Sequence, residues 1–205
     1  MKKKKLDVVF IIDKSGSMSG SEDNTISSFN EYIDKEKKNN YKTIISTILF
    51  SDNYHYLHNN IDINKITKLT RDEYVVGGCT ALYDALGNAI IDVDKKNTDK
   101  VLFIIITDGY ENASKEFNNN MIKKMIKDHK DYEFIYIGAD IDSYTAGSNI
   151  GIKKANIANY TKDRTGTKKM FNSVGKFAEA MMMDKATCSW KEELEDYIND
   201  NKNDD

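Results

Sequence analysis

Three hydroxyls and two carboxylates in this chain are placed where they could hold a small, hard cation. Asp13-Lys14-Ser15-Gly16-Ser17 follows directly on the apolar run Val8 to Ile12. The pattern Asp-x-Ser-x-Ser sets three oxygen donors on one tight turn, and Gly16 lets the backbone bend so that both hydroxyls face one point. Thr107-Asp108-Gly109 closes a second apolar run that starts at Val101, and Gly77-Gly78-Cys79-Thr80 carries another hydroxyl into a stretch with helical spacing. Hydroxyls, carboxylates and water are the donors that suit Mg²⁺ or Mn²⁺, with Mg–O distances of about 2.1 Å. No grouping of Cys and His points to zinc. If the serines bind directly and Asp13 and Asp108 act partly through water, few negative charges touch the ion, and it stays attractive to an incoming carboxylate.

Each piece also has a plainer reading. Asp, Ser and Gly are favoured in any strand-to-helix turn, Thr80 is a good helix N-cap, and Asp-Gly is a common strand exit. The pieces become a site only where the fold brings them to one rim.

The elements that must do this are legible as apolar runs. Val8 to Ile12, Thr43 to Phe50, Val101 to Thr107 and Phe134 to Ile137 are short, rich in β-branched and aromatic residues and apolar on both faces, as strands buried in a parallel sheet should be. Helical spacing marks Ile26, Phe29 and Ile33; Leu82, Ala85, Leu86, Ala89 and Ile90; Phe117, Met121, Ile122, Met125 and Ile126; and Met170, Val174, Phe177, Ala178 and Met181. Only Ser51, Asp52 and Asn53 separate the second run from Tyr54 to Leu57, so short a turn that it predicts a hairpin with an antiparallel edge strand. A last strand is expected near Asn156 to Tyr160. Ser189 with Glu192 reads as a capping box that opens a short helix through Tyr197, followed by a solvated Asn/Asp tail. The expectation is an α/β fold, a doubly wound, Rossmann-like, mostly parallel six-stranded sheet with one antiparallel edge strand and helices on both faces. Open sheets of this kind bind ligands at the carboxyl ends of their strands, which is where Asp13 and Asp108 stand.

Composition narrows the function. With 205 residues, 40% of them hydrophobic, the chain can bury one substantial core. A net charge of -3 excludes the broad basic field that binding a nucleic-acid backbone needs, and Lys2 to Lys5 read as a short solvated arm. No apolar segment approaches a membrane span, and the apolar run after Lys5 is too short for a secretory signal and is bracketed by Asp7 and Asp13. Cys79 and Cys188 are too few for a disulfide framework, which favours a reduced, cytoplasmic protein. The chain has no proline, so its turns rely on Gly, Asn, Asp and Ser.

Taken jointly, Asp13-x-Ser15-x-Ser17, Thr80 within Gly-Gly-Cys-Thr-Ala-Leu-Tyr-Asp-Ala-Leu, and Asp108 in Ile-Thr-Asp-Gly resemble the metal-ion-dependent adhesion site of von Willebrand factor A domains. The richness in Lys, Asn and Ile suggests a bacterial or phage intracellular member. The resemblance runs from Leu6 to about Met183. It implies a domain over 1–183 followed by a C-terminal short helix and acidic polar tail over 184–205, and a sheet in the order 3-2-1-4-5-6. It also implies an Mg²⁺ or Mn²⁺ ion held by Asp13, Ser15, Ser17, Thr80 and Asp108, completed by a Glu or Asp from a protein partner. The family binds rather than catalyses. Lys14 and Cys79 depart from its commonest forms without removing a ligand.

Two functions follow. The first is a non-enzymatic, metal-dependent protein-binding module. The alternative is an Mg²⁺-dependent phosphotransferase or phosphatase of the haloacid dehalogenase type using Asp13, although that chemistry wants a second carboxylate where Ser15 stands. Lesser candidates are Asp140, a turn or helix cap that would share the rim; Tyr110, Glu111 and Asn112, which follow Asp108; His55, His58 and His129, read as structural; the Met181-Met182-Met183 helix end; and Cys79, read as an inert thiol.

Overall fold

The computed structural model describes residues 4–94, 100–185 and 189–202. The first strand, β1 (Lys5–Asp13), is buried along nearly all its length. Because successive side chains in a strand point to opposite faces, Val8, Phe10 and Ile12 enter one core while Val9 and Ile11 enter another. An unbroken apolar run therefore needs a cover on both sides. The first cover contains α1 (Glu22–Glu36), α5 (Arg164–Met182) and α6 (Glu192–Lys202), through Phe29, Tyr32, Phe171, Val174, Phe177 and Leu194. On the other face lie α2 (Leu82–Asp94), α3 (Asn119–Asp128) and α4 (Ser143–Asn149), with Leu86, Ile90, Ile122 and Ile126 packed on Phe103 and Ile105.

The remaining strands are β2 (Lys42–Phe50), β3 (Tyr54–Asp62), β4 (Lys100–Thr107), β5 (Tyr132–Gly138) and β6 (Ile157–Asn159). They form one six-stranded sheet in the order β3-β2-β1-β4-β5-β6. Every pairing is parallel except β2 with β3, which is the hairpin expected from the three-residue turn. The chain leaves β1 toward β2 on one side and returns to β4 on the other. The carboxyl ends of β1 and β4 thus meet at the point where strand order reverses, the usual binding crevice of such sheets.

Three features depart from the sequence expectations. β3 runs on to Asp62 because its far half is a polar edge: pairing steps from Tyr56 to His58 against adjacent residues of β2, and from His58 to Ile61 against Thr47 and Ile45. Each step leaves an extra residue on β3, as in a bulge; Asn60, at φ 58°, donates its amide to Ser46 Oγ over 3.0 Å. A seven-residue helix, α4, follows β5 in a stretch that no apolar spacing marks as a helix. The last helix, α6, continues through Lys202 rather than ending near Tyr197, and its approach is fixed by Trp190, 2% exposed, whose indole meets Phe177 edge-on at 5.6 Å. Cys188, Lys2, Lys3 and the final residues of the tail lie outside the described residues.

Candidate metal site

The five residues singled out by type and spacing converge on the carboxyl-end rim. Asp13 ends β1 and is fully buried. Its Oδ1 accepts from the Ser15 amide at 2.6 Å, and its Oδ2 from the Thr107 hydroxyl at 2.6 Å. Ser15 Oγ lies 3.1 Å from Ser17 Oγ, and Ser17 Oγ donates to Asp108 Oδ1 at 2.5 Å. Gly109 shows how closely the oxygens crowd together. A Cβ there would sit 2.8 Å from Thr80 Oγ1, 3.6 Å from Ser17 Oγ and 3.7 Å from Asp13 Oδ2. Oxygens from the turn after β1 and from the segment before α2 thus lie within 3.7 Å of one point beside Gly109, which itself follows β4.

The loops are held by main-chain bonds. The Gly16 amide donates to Gly78 O at 3.0 Å, the Gly77 amide to Lys14 O at 2.8 Å, and the Ala81 amide to Ser51 O at 2.8 Å. Gly78 is required by its backbone, at φ +84°, and by Asp52, whose Oδ2 would lie 2.0 Å from an added Cβ. Asp52 Oδ1 in turn accepts from the Cys79 amide at 3.1 Å. Thr80 and Asn112 exchange two bonds: the Thr80 amide to Asn112 Oδ1 at 2.9 Å, and the Asn112 amide to Thr80 O at 3.0 Å.

Glu111 and Ser114 free the Thr80 hydroxyl from a capping role. Early amides of α2 are satisfied from the loop after β4: the Tyr83 amide donates to Glu111 Oε2 at 2.9 Å, and the Asp84 amide to Ser114 Oγ at 3.1 Å. In return, the Asp84 carboxylate accepts from the amides of Lys115, Glu116 and Phe117. Helix starts leave orphan donors, and here they are met from another loop. Glu111, one of the residues that follow Asp108, is a cap. Tyr110 is exposed, and its hydroxyl accepts from the Asp142 amide at 3.0 Å.

Electrostatically the site is a buried carboxylate pair with one cation. Burial pushes the Asp13 carboxyl up; hydrogen bonds from Thr107 and Ser15 pull it down, and the charge of Asp108 raises it again. The sequence reading missed Lys162. Its ammonium donates to Asp108 Oδ2 at 2.8 Å and to Ser17 O at 3.2 Å, and pairs with Asp140 Oδ2 at 2.8 Å. Partial burial works against the charge of Lys162, yet the bonds to Asp108 and Asp140 outweigh it and hold the ammonium above the usual lysine range. Lysines are common in this chain, so only its place, in the loop after the last strand, could have marked it. Asp140, in the left-handed region at φ 55°, stands on the rim; Asp142, not Asp140, caps α4 by accepting from Thr145 N.

The other candidates lie elsewhere in the fold. His58 is buried against Thr47 and Thr67, and His129 pairs with Asp94 at 2.9 Å. Met182 packs in the core while Met183 is exposed. Cys79 is a free, exposed thiol. Among the described residues, no group of three or more His, Cys, Asp or Glu side chains is arranged to hold a metal. The donor set at the rim is instead mostly hydroxyl, which fits a hard divalent ion.

Comparison with known proteins identifies the family and the fold. The model of the von Willebrand factor type A domain family matches residues 7–176. No curated protein matches by sequence. Among solved structures, proximal thread matrix protein 1 from the mussel byssus is similar at a TM-score of 0.65 and 19% identity, over 86% of this chain and 46% of that one. Another structure of that protein is described as having a zinc occupied MIDAS motif, at a TM-score of 0.61 and 19% identity over 88% and 45% of the two chains. The vWF domain of the type V pili tip protein Mfa5 from Porphyromonas gingivalis matches at 0.65 and 12% identity, over 91% of this chain and 98% of that one. This chain spans about half the length of the mussel proteins it resembles.

Proposed function

This chain belongs to the von Willebrand factor type A domain family, and we propose that it is a non-enzymatic, divalent-cation-dependent module that binds a protein partner through an acidic side chain. The observation that carries the reading is the convergence of Thr80 Oγ1, Ser17 Oγ and Asp13 Oδ2 to within 3.7 Å of one point beside Gly109. Ser15, Ser17, Thr80, Asp13 and Asp108 would hold Mg²⁺ or Mn²⁺. A bound ion of this kind supplies a Lewis-acidic coordination position that a partner's Glu or Asp can fill. The protein's part is to keep the donors in place. Asp13 is fixed by two hydrogen bonds, Thr80 is pinned through its main chain, and Ser17 stands exposed at the mouth. The zinc occupied MIDAS motif of a mussel byssus structure supports a metal on this fold.

The phosphotransferase alternative has no such support. Its nucleophile would be Asp13, which is 0% exposed with both carboxylate oxygens already accepting hydrogen bonds. Ser15 occupies the position of the second carboxylate that this chemistry needs. Among the described residues no helix is long and apolar enough to cross a membrane. We further propose a cytoplasmic setting, in keeping with the two cysteines of the chain being too few for a disulfide framework.

Calorimetric titration of Mn²⁺ and then Mg²⁺ into chelator-treated protein tests the proposal. Saturable one-site binding, lost in folded Ser15→Ala/Ser17→Ala, is expected, followed by metal-dependent binding of short Glu- or Asp-containing peptides. Equal peptide binding with and without chelator would count against a metal-centred grip.

A further inference from the structure

We propose that Lys162 is a built-in counter-ion of the metal site: its ammonium holds Asp108 until a divalent ion binds, and must release that carboxylate for the ion to be held. The inference rests on the metal-site reading above and concerns what sets its affinity.

A lysine ammonium has three donors and no acceptor, and Lys162 has three oxygens around it: Asp108 Oδ2, Asp140 Oδ2 and Ser17 O. Two of these partners belong to candidate metal-ligand residues. The Asp108 side chain has no exposure, and a carboxylate so buried is costly to keep charged without a compensating cation. Among the described residues its other oxygen, Oδ1, is met by the neutral Ser17 hydroxyl, so Lys162 supplies the opposing charge. The ammonium therefore does at Asp108 part of what a divalent cation would do there.

Both cations cannot have the carboxylate on equal terms. Like charges a few ångströms apart repel even at the raised effective dielectric near a surface. The surroundings let Lys162 give way. It lies in the loop between β6 and α5, and its neighbour Asp163 is fixed as the α5 cap by accepting from Thr165 N and Gly166 N. The lysine backbone is thus anchored beside a fixed turn while its flexible stem reaches in from the rim. Asp140 is 68% exposed, so an ammonium withdrawn from Asp108 keeps an acidic partner in solvent. Lys162 would then stand beside the mouth of the site as a free positive group.

Removing the ammonium should tighten metal binding. Calorimetry with Mn²⁺ is expected to show folded Lys162→Met binding about ten-fold tighter than wild type or more, with Lys162→Arg staying near the wild-type value. A second readout needs no variant: acetylation of Lys162 by an amine reagent, followed by mass spectrometry with and without saturating Mn²⁺, should rise when the ion binds. Unchanged or weaker affinity in folded Lys162→Met, while wild type binds Mn²⁺, overturns the inference and leaves the metal site standing. If Lys162→Met does not fold, unchanged Lys162 labelling in wild type overturns it in the same way. No Mn²⁺ binding by either protein overturns both readings.

Discussion

The phenol of Tyr74 donates a 2.5 Å hydrogen bond to the main-chain carbonyl of Asp13, tying the connection after β3 to the last residue of β1. Tyr74 is buried, so its hydroxyl serves an acceptor that water does not reach. Tyr74→Phe leaves that carbonyl without this donor and should lower stability by about 1–3 kcal/mol. It should also weaken Mn²⁺ binding, because Asp13 hangs from the same peptide. Urea unfolding and calorimetry check the two effects separately, and unchanged values in both would show the bond to be incidental.

Gly109 is the most direct test of how closely the donors converge. A Cβ at Gly109 would press to 2.8 Å from Thr80 Oγ1. Gly109→Ala should therefore cut Mn²⁺ affinity by about ten-fold or more, since a small octahedral site tolerates little displacement of its ligands. Overpacking should lower stability by about 1–3 kcal/mol. Wild-type affinity in this variant would mean that the ion sits away from the Thr80 hydroxyl.

The C-terminal helix should prove integral to the fold. Trp190 and Leu194 are buried in the same core as α5, and the Trp190 indole donates to Ala155 O at 2.9 Å. Trp190→Ala should cost about 3–5 kcal/mol, the range for deleting a large aromatic side chain from a core. Thermal or urea unfolding reads this directly, and a loss below about 1 kcal/mol would show that α6 rests only loosely on the sheet.

His58 predicts a pH dependence. Its Nε2 faces the Thr67 carbonyl, an acceptor, at 3.1 Å and so carries a hydrogen; in the neutral ring Nδ1 then accepts from the Thr47 hydroxyl at 3.1 Å. Burial pushes the His58 pKa down, and the bond to Thr67 only partly opposes it. Below about pH 6.5 the unfolded chain takes up a proton that the folded chain resists. The stability contributed by neutral His58 is therefore present above that pH and lost as pH falls toward the depressed folded value. Unfolding free energy between pH 7 and 5 should fall more steeply for wild type than for His58→Gln; parallel slopes would remove His58 as the cause.

Much of this architecture was legible because it rests on residues with few alternatives. Apolar runs such as Val101 to Thr107 must be covered on both faces, and the short turn after Phe50 allows only a hairpin. Asp13, Ser15, Ser17, Thr80 and Asp108 could be picked out because hydroxyls and carboxylates at strand ends are a distinctive combination, and the structure brings all five together. What escaped notice lacked such a signature. The helix α4 reads Ser-Tyr-Thr-Ala-Gly-Ser-Asn, without apolar periodicity, because it presses so closely on β6 that a Cβ at Gly147 would lie 2.9 Å from Ile157 Cδ1. The far half of β3 is polar because it lies at the edge. Lys162 gains its meaning solely from Asp108 and Asp140, which are distant in sequence and adjacent in space.

The two edges of the sheet bear on how a partner can approach. Doubly bulged, β3 presents an irregular ladder, and β6 is three residues long with its Ile157 carbonyl already accepting from the Lys191 ammonium at 2.8 Å. Neither edge is a regular template on which another chain could lay down a strand, the route by which many domains recognise extended peptides. On the proposed function, recognition would fall to the loop rim, where a single anionic tip could be gripped with little regard to the backbone that carries it. A grip of that kind would be chosen by reach and charge more than by sequence, and it would let go in one step when its ion is withdrawn.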